Sequence, residues 1–299
     1  MLIMMIGLPG SGKSSIAEEL KEKLGAILHS SDALRKELYG NEDTQDSNAE
    51  LFNVLHSRIK EDLRNGETVI YDATNISYKR RKAFLQELKN INVRKIAYFV
   101  ATPYEVCLER NALRDRVVPE EVIERMYKNF DVPHMYEGWD DIQIHIEDEY
   151  RTLYGSWKDF LFETYDMSQE NPHHSLTLGE HCRKCYEELL STNDKRLFIA
   201  GALHDCGKPF CKTYFTMKDE LDNKAHYYGH EHVGSYNLFF YGLKFSNSEL
   251  LDTSAIIRWH MQMWAIEKGM GDLEKYKSLW GDNLYSLIEA LHIADKGAH

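Results

Sequence analysis

The sequence predicts two domains: an α/β domain with a mainly parallel sheet over residues 1–149, and an all-α domain over residues 150–299. Three observations carry this reading. Short apolar runs alternate with helical stretches through the first half, a pattern that builds a parallel sheet covered on both faces. The first strand-to-helix turn reads Gly7-Leu8-Pro9-Gly10-Ser11-Gly12-Lys13-Ser14, which fits G-x-x-x-x-G-K-[ST]. After Glu147-Asp148-Glu149 the strand-like runs cease, and helical periodicity rich in His and Tyr takes over. No Gly/Ser or Pro-rich linker marks the change.

Leu2 to Ile6 reads as a buried strand and Ser15 to Leu24 as a helix, the setting the glycine-rich loop needs. Its glycines let backbone N–H groups curl around phosphate oxygens at a helix N-terminus. Gly10, Ser11, Gly12, Lys13, Ser14 and Ser15 are therefore the expected ATP contacts. Lys13 pairs with the outer phosphates, and the Ser14 hydroxyl sits on Mg²⁺.

Ala26 to His29 is a second short strand, and Ser30-Ser31-Asp32 starts a helix with Arg35 one turn on. Two readings stay open for this pair. Asp32 caps the helix and Arg35 is its solvated partner, or Asp32 takes the proton of an acceptor hydroxyl while Arg35 holds a phosphate on the acceptor. Asn48 to Arg64 is an amphipathic helix. Thr68 to Tyr71 is a strand ending in Asp72-Ala73-Thr74-Asn75, where Asp72 either caps a turn or holds Mg²⁺. Lys79-Arg80-Arg81-Lys82 opens the next helix as a solvated face or as a basic edge for phosphates. Val93 to Val100 is a strand. Arg110, Arg114 and Arg116 follow on or just after a helix, before Val118-Pro119. Arg110 and Arg114 share a helical face at this spacing. They form either surface salt links or a lid over the transferred phosphoryl group. Ile142 to Ile146 is the last strand.

In the second half, His181 lies on a helix with Leu178, Tyr186 and Leu189. Ala202-Leu203-His204-Asp205-Cys206-Gly207-Lys208-Pro209 places an imidazole and an acid where an apolar helix should carry core residues. His226 to Glu231, His260, and Asp295 at the end of a helix over 287–294 follow. Imidazole and carboxylate donors suit Mn²⁺, Fe²⁺, Ni²⁺, Co²⁺ or Zn²⁺. Cys182 and Cys185 share one helix without a second pair at zinc-ribbon spacing, and are read as structural. His173-His174 is read as a capped loop.

Composition bounds the function classes. A hydrophobic fraction of 43% over 299 residues supports two ordinary cores. The net charge of −12 argues against a general nucleic-acid coat, which needs a broad basic field, but leaves room for a local phosphate groove. No apolar run approaches the roughly 20 residues that span a bilayer. Met1-Leu2-Ile3 opens directly into a strand, so no leader is expected. Five scattered cysteines suit a reducing cytoplasm.

Taken together, Gly7–Ser14, Asp32-x-x-Arg35, Asp72-Ala73-Thr74-Asn75 and Arg110-x-x-x-Arg114 resemble the 5′-hydroxyl polynucleotide kinases of RNA repair. The resemblance implies that Asp32 is the general base, that Arg35 holds the acceptor, and that Arg114 holds the transferred phosphate. His181, His204-Asp205 and Asp295 resemble the four ligands of the HD-superfamily phosphohydrolases. The stretches Ala202–Pro209 and His226–Glu231 look like the HD module of bacterial CCA-adding enzymes. That implies a metal-dependent phosphatase and 2′,3′-cyclic phosphodiesterase, with His230 and His260 serving a second metal, Asp205 bridging, and Lys208 steadying the phosphate. Only four residues follow Asp295, fewer than that family's helix carries. The expectation is a bifunctional RNA end-healing enzyme acting on 5′-hydroxyl ends and on 3′-phosphate or 2′,3′-cyclic phosphate ends, with a separate ligase sealing the strand and no membrane partner. The alternatives are a small-molecule or nucleotide kinase fused to a nucleotide phosphohydrolase, and a catalytically inert ATP-binding signalling module.

Overall fold

The structure, a computed structural model, describes residues 1–40, 48–172 and 175–298. His173-His174 lies outside the described residues. The chain divides into one unit of residues 1–123 and 133–146, and a second of residues 124–132 and 147–299. The second unit thus starts three residues earlier than the expected boundary, and it also draws in nine residues from the first half.

The first unit is a five-stranded parallel sheet with strand order β2-β3-β1-β4-β5. Its elements are β1 (Leu2–Ile6), α1 (Lys13–Leu24), β2 (Ile27–Ser30), α2 (Ser31–Tyr39), α3 (Asn48–Arg64), β3 (Val69–Asp72), α4 (Tyr78–Glu87), β4 (Lys95–Val100), α5 (Tyr104–Ala112) and β5 (Asp141–His145). α6 (Glu120–Tyr127) begins in this unit and ends in the next. Every residue of β1 is buried, as a central strand covered on both faces requires. Ile3, Met5, Ile70, Ile96 and Val100 form one core with Ala17 of α1.

This order sets the tips of β2, β3 and β1 side by side. Ser30 pairs with Asp72 in register, and Leu2 to Met4 pair with Val69 to Tyr71. The glycine-rich loop, Asp72 and Asp32 therefore emerge together at the carboxyl ends of adjacent strands, where open α/β sheets bind ligands.

The second unit is mainly helical: α7 (Trp157–Glu163), α8 (Leu178–Leu189), α9 (Lys195–Leu203), α10 (Lys208–Cys211), α11 (His230–Asn237), α12 (Asn247–Glu267) and α13 (Leu273–Gly297). It is not all-α. β6 (Thr213–Phe215) and β7 (Leu221–His226) form an antiparallel hairpin, its turn closed by Thr216 N–H to the Glu220 carbonyl at 2.8 Å. β6 is only three residues long, β7 is mostly polar, and their register is irregular. They offer no apolar alternation for a sequence pattern to detect. Asp295 sits inside the last turn of α13, a longer helix than expected, interrupted at Gly281 (φ 73°, ψ 165°).

α9 packs against α8, α12 and α13. Thr177 caps α8 through a reciprocal bond with Glu180, and Ser246 caps α12 in the same way with Glu249. These two helices carry His181 and His260.

Candidate functional site

In the first unit the glycine-rich loop folds as its sequence demands. Gly10 has φ 81°, and a Cβ there would lie 2.2 Å from the Cys107 carbonyl oxygen, so no other residue fits. Gly12, at φ 88°, precedes the first turn of α1. The Arg110 guanidinium lies 3.7 Å from where a Gly12 Cβ would stand, against the loop. Thr102 Oγ1 donates to the Ser11 carbonyl at 3.0 Å, and Lys13 Nζ reaches back to the Leu8 carbonyl at 3.4 Å. Ser14 and Ser15 are exposed on the first turn of α1.

Burial lowers the Lys13 ammonium from its ordinary value. Asp72 and Asp32 pull it back up, and Arg114 pushes it down. Four candidates separated in sequence are thus electrostatic neighbours. Asp72 is buried, and its Oδ1 has no hydrogen-bond partner; nor does the buried Ser11 Oγ. A buried polar atom left without a partner costs ~1–3 kcal/mol. The pair fits Mg²⁺ and phosphate, which would restore those partners. Ser30 Oγ, not Asp32, caps α2 by accepting from Ala33 N–H at 3.4 Å. The Asp32 carboxylate is left half-exposed, and Arg116 Nη1 donates to its Oδ1 at 3.0 Å. Arg35 is buried.

Two expectations change here. α5 ends at Ala112, and Arg114 lies in the loop beyond it, so Arg110 and Arg114 do not share a helical face. Buried Asn111 closes that loop instead. Its Nδ2 donates to the Val118 carbonyl at 2.8 Å, and its Oδ1 accepts from Val118 N–H at 3.0 Å. Arg81 belongs neither to a solvated face nor to a basic edge. It is 1% exposed, bound through two nitrogens to both Glu137 oxygens at 2.6 and 2.7 Å, and it donates to the Asn75 carbonyl at 2.8 Å. Asn75 Nδ2 in turn donates to the Met5 carbonyl at 2.9 Å. This buried fork holds the loop after Asp72 against β1. The four-residue basic run hid it, because Glu137 is 56 residues away.

In the second unit, His181, His204, Asp205, His230, His260 and Asp295 converge in the helical core, all at least nine-tenths buried. His181 and His204 meet Nε2 to Nε2 at 3.1 Å, and His230 and His260 at 3.3 Å. Asp205 lies between the two pairs. Its Oδ2 is 3.5 Å from His181 and 3.3 Å from His204, while its Oδ1 is 3.2 Å from His230 and 3.8 Å from His260. Asp295 Oδ1 is 3.1 Å from His181 Nε2.

Backbone carbonyls fix the tautomers. The Nδ1 atoms of His204, His230 and His260 each face the carbonyl three residues back (Gly201, Tyr227 and Ile257) at 2.9, 2.7 and 2.6 Å. His181 Nδ1 faces the Ala298 carbonyl at 3.3 Å. A carbonyl only accepts, so each Nδ1 carries its proton and each Nε2 turns inward. Neutral imidazoles so placed oppose lone pair to lone pair, which a cation between them resolves. The donor set thus fits divalent metal, with the orienting partners such ligands need. Asp205 would bridge the His181/His204/Asp295 cluster and the His230/His260 cluster.

Burial works against every charge here, yet Lys208, His204 and His230 hold Asp205 well below the usual carboxylate range. Asp295 is likewise held low by His181, His204 and His260, against its burial. Burial also opposes charge on His204, but Asp205 and Asp295 raise it overall. Burial, with His204 and His230, lowers His260 to about 4. Lys208 Nζ sits 2.6 Å from Asp205 Oδ2 and 2.7 Å from Gln169 Oε1.

Three features escaped sequence reasoning. Trp264 Nε1 donates to the outer oxygen of Asp295 at 2.8 Å. Gln169 braces Lys208. The Cys185 sulfur lies at the first cluster, and its i, i+4 spacing from His181 was the available signal.

Residues 2–133 match the family described as the AAA domain, and residues 173–297 match the HD domain. The chain therefore joins a P-loop kinase-type domain with a parallel sheet to a mostly helical HD domain. It is 32% identical over 151 residues to an L-seryl-tRNA(Sec) kinase of Methanococcus maripaludis, covering 47% of this chain and 56% of that protein. It is 24% identical over 152 residues to the protein kti12 of Schizosaccharomyces pombe, covering 46% of this chain and 54% of that protein. The chain thus spans about half the length of these relatives. Among solved structures, the Pnkp1/Rnl/Hen1 RNA repair complex superimposes with a TM-score of 0.36 at 21% identity, over 42% of either chain. No helix among the described residues is long and apolar enough to cross a membrane.

Proposed function

We propose that this chain heals RNA ends. Its first domain transfers the γ-phosphoryl group of ATP to a 5′-hydroxyl, giving a 5′-phosphate and ADP. Its second domain hydrolyses a 3′-terminal phosphate, opening a 2′,3′-cyclic phosphate first where one is present. These are the two ends left by ribonucleases that cleave through the 2′-hydroxyl, and the joining of a P-loop kinase-type domain to an HD domain in one chain is the observation that carries the reading.

In the kinase reaction, backbone N–H groups of Gly10 to Lys13 cradle the phosphates, and Lys13 and Arg114 neutralise the transferring group. Asp32 takes the proton of the attacking hydroxyl, and Arg35 and Arg110 hold acceptor and nucleotide phosphates. Ser14 and Asp72 would hold Mg²⁺. In the hydrolase, His181, His204, Asp205 and Asp295 would hold one divalent ion, and Asp205, His230 and His260 a second. Such ions polarise phosphate oxygens and acidify water. Lys208, whose Nζ lies 2.6 Å from Asp205 Oδ2, would steady the phosphate charge.

The likeness to a kinase whose name gives it a tRNA-borne acceptor supports an RNA substrate. It also favours a second reading. That acceptor hydroxyl belongs to an amino acid, so a kinase of a small or RNA-borne hydroxyl, joined to a nucleotide phosphohydrolase, is the competitor. The deciding assay uses γ-labelled ATP and an RNA oligonucleotide with a 5′-hydroxyl and a 3′-phosphate, in Mg²⁺ and then with Mn²⁺, Ni²⁺ or Co²⁺. Label on the 5′ end with phosphate released from the 3′ end supports end healing. A metabolite or seryl-tRNA that outcompetes the oligonucleotide in kcat/KM supports the competitor. ATP binding without turnover of any acceptor defeats both.

A further inference from the structure

Cys185 lies one helical turn beyond His181 on α8, so the two side chains leave the same face. One donor atom from each of His181, Cys185, His204 and Asp295 lies within 4.8 Å of the others. With metal–sulfur and metal–nitrogen bonds of about 2.3 and 2.1 Å, two donors on one ion stand no more than roughly 4.4 Å apart. Tetrahedral ligation with these bonds sets donors about 3.6 Å apart, so sharing an ion draws the quartet inward by up to about 1 Å. All five cysteines are free, and Cys185 is fully buried. Its sulfur lies within 4.8 Å of a nitrogen of each of two imidazoles and of a carboxylate oxygen.

We propose that Cys185 is a sulfur donor to the ion that His181, His204, Asp295 and the bridging Asp205 would hold, which makes that cluster a mixed nitrogen, oxygen and sulfur site. The proposal rests on the reading of these residues as a metal centre. On ligation the thiol loses its proton to solvent and one metal–sulfur bond forms, without electron transfer. The other cluster, Asp205 with His230 and His260, has no sulfur in its group. Thiolate favours the softer divalent ions, and carboxylate with imidazole tolerates harder ones. The two clusters thus differ in preference: Zn²⁺, Co²⁺ or Fe²⁺ at the first, and Mn²⁺ accepted at the second.

Cobalt separates this proposal from the reading it rests on. The full chain is stripped of metal, kept reduced under inert gas, and titrated with Co²⁺. Visible d–d bands report binding, and a near-ultraviolet sulfur-to-cobalt charge-transfer band reports thiolate ligation. Wild type is expected to show both. Cys185→Ser keeps the d–d bands and loses the charge-transfer band. Cys182→Ser keeps both, although Cys182 also lies near His204 and Asp205. Far-UV circular dichroism, with ATP binding by the first domain, checks that each variant is folded, and Cys185→Ala replaces Cys185→Ser if the latter is not. Cobalt bound in wild type without the charge-transfer band overturns the sulfur ligand and leaves the metal centre standing. A band lost in Cys182→Ser but kept in Cys185→Ser also overturns the assignment. No d–d bands in wild type overturns the metal centre itself.

Discussion

Arg116 Nη1 holds Asp32 Oδ1 at 3.0 Å, joining the loop after α5 to the first turn of α2. The contact is partly solvated, with side-chain exposures of 23% and 44%, so as an ion pair it is worth no more than ~1 kcal/mol. Its importance lies in where it leaves the carboxylate. Arg116→Ala is therefore expected to shift the melting temperature little. Asp32→Ala is expected to lower 5′-end phosphorylation by about 10²–10⁴-fold, the usual share of a general base. Label transfer from ATP, alongside a thermal melt, measures both. A large melting shift in Arg116→Ala would show the contact to be structural.

The two domains should fail separately. His204→Ala removes an imidazole whose Nε2 lies 3.1 Å from that of His181 and 3.3 Å from Asp205. It should abolish 3′-phosphate release and leave 5′-end labelling intact, while Asp32→Ala does the reverse. If each folded variant loses both activities, the two-site model is wrong.

The Arg81–Glu137 fork is fully buried and satisfied on both sides. Removing one partner strands a charge, which costs ~3–5 kcal/mol. Glu137→Gln keeps the shape, strands Arg81, and should destabilise the first domain by about that amount, with kinase activity lost along with the fold. Arg81→Met with Glu137→Leu leaves no buried charge unpaired, although the Asn75 carbonyl, Trp139 Nε1–H and His134 N–H lose their partners, and should recover part of the stability. Denaturant titration of the three proteins measures the difference.

How much of this was legible depends on whether the signal was local. The glycine-rich loop, Asp72 and Asp32 could be placed from sequence because each sits at the tip of a short apolar run, and the order of parallel strands brings such tips together. His204-Asp205 was legible because a polar pair stands next to an apolar helical run, although α9 ends at Leu203 and the pair lies at its C-cap and in the turn beyond rather than inside the helix. The β6–β7 hairpin was not, since β6 spans only three residues and β7 is mostly polar. Pairings such as Asp32 with Arg116, Arg81 with Glu137 and Trp264 with Asp295 join residues 84, 56 and 31 positions apart, and no spacing rule encodes them.

Trp264 would act on a metal at the proposed site only through Asp295. By donating at 2.8 Å to one carboxylate oxygen it leaves the other turned toward His181. Losing such an orienting bond lowers metal affinity by about 10–100-fold. Trp264→Phe should do so with little loss of fold, since an aromatic ring still packs there without the N–H donor. Calorimetric titration with Zn²⁺ measures the affinity. An unchanged affinity would make Trp264 a packing residue.

Metal uptake should weaken on acidification, and the direction follows from His204. Asp205 and Asp295 raise it above its ordinary 6.5 against the pull of burial. A proton there competes with metal, so apparent affinity should start to fall while the pH is still above 6.5, by up to tenfold per pH unit for each proton displaced. Without metal the same group works the other way. Its charge stabilises the fold fully below the unfolded value, and that contribution is lost as pH rises through the raised folded value. His260 has the opposite sign. It is lowered to about 4, so between about 4 and 6.5 the unfolded chain binds a proton that the folded chain refuses, and stability falls as pH drops through that window. Equilibrium dialysis with Co²⁺ from about pH 8 to 6, a range that spans the ordinary histidine value, checks the first statement. Melts of the metal-free protein check the others, and affinity that stays flat over the dialysis range would mean that His204 is not a ligand.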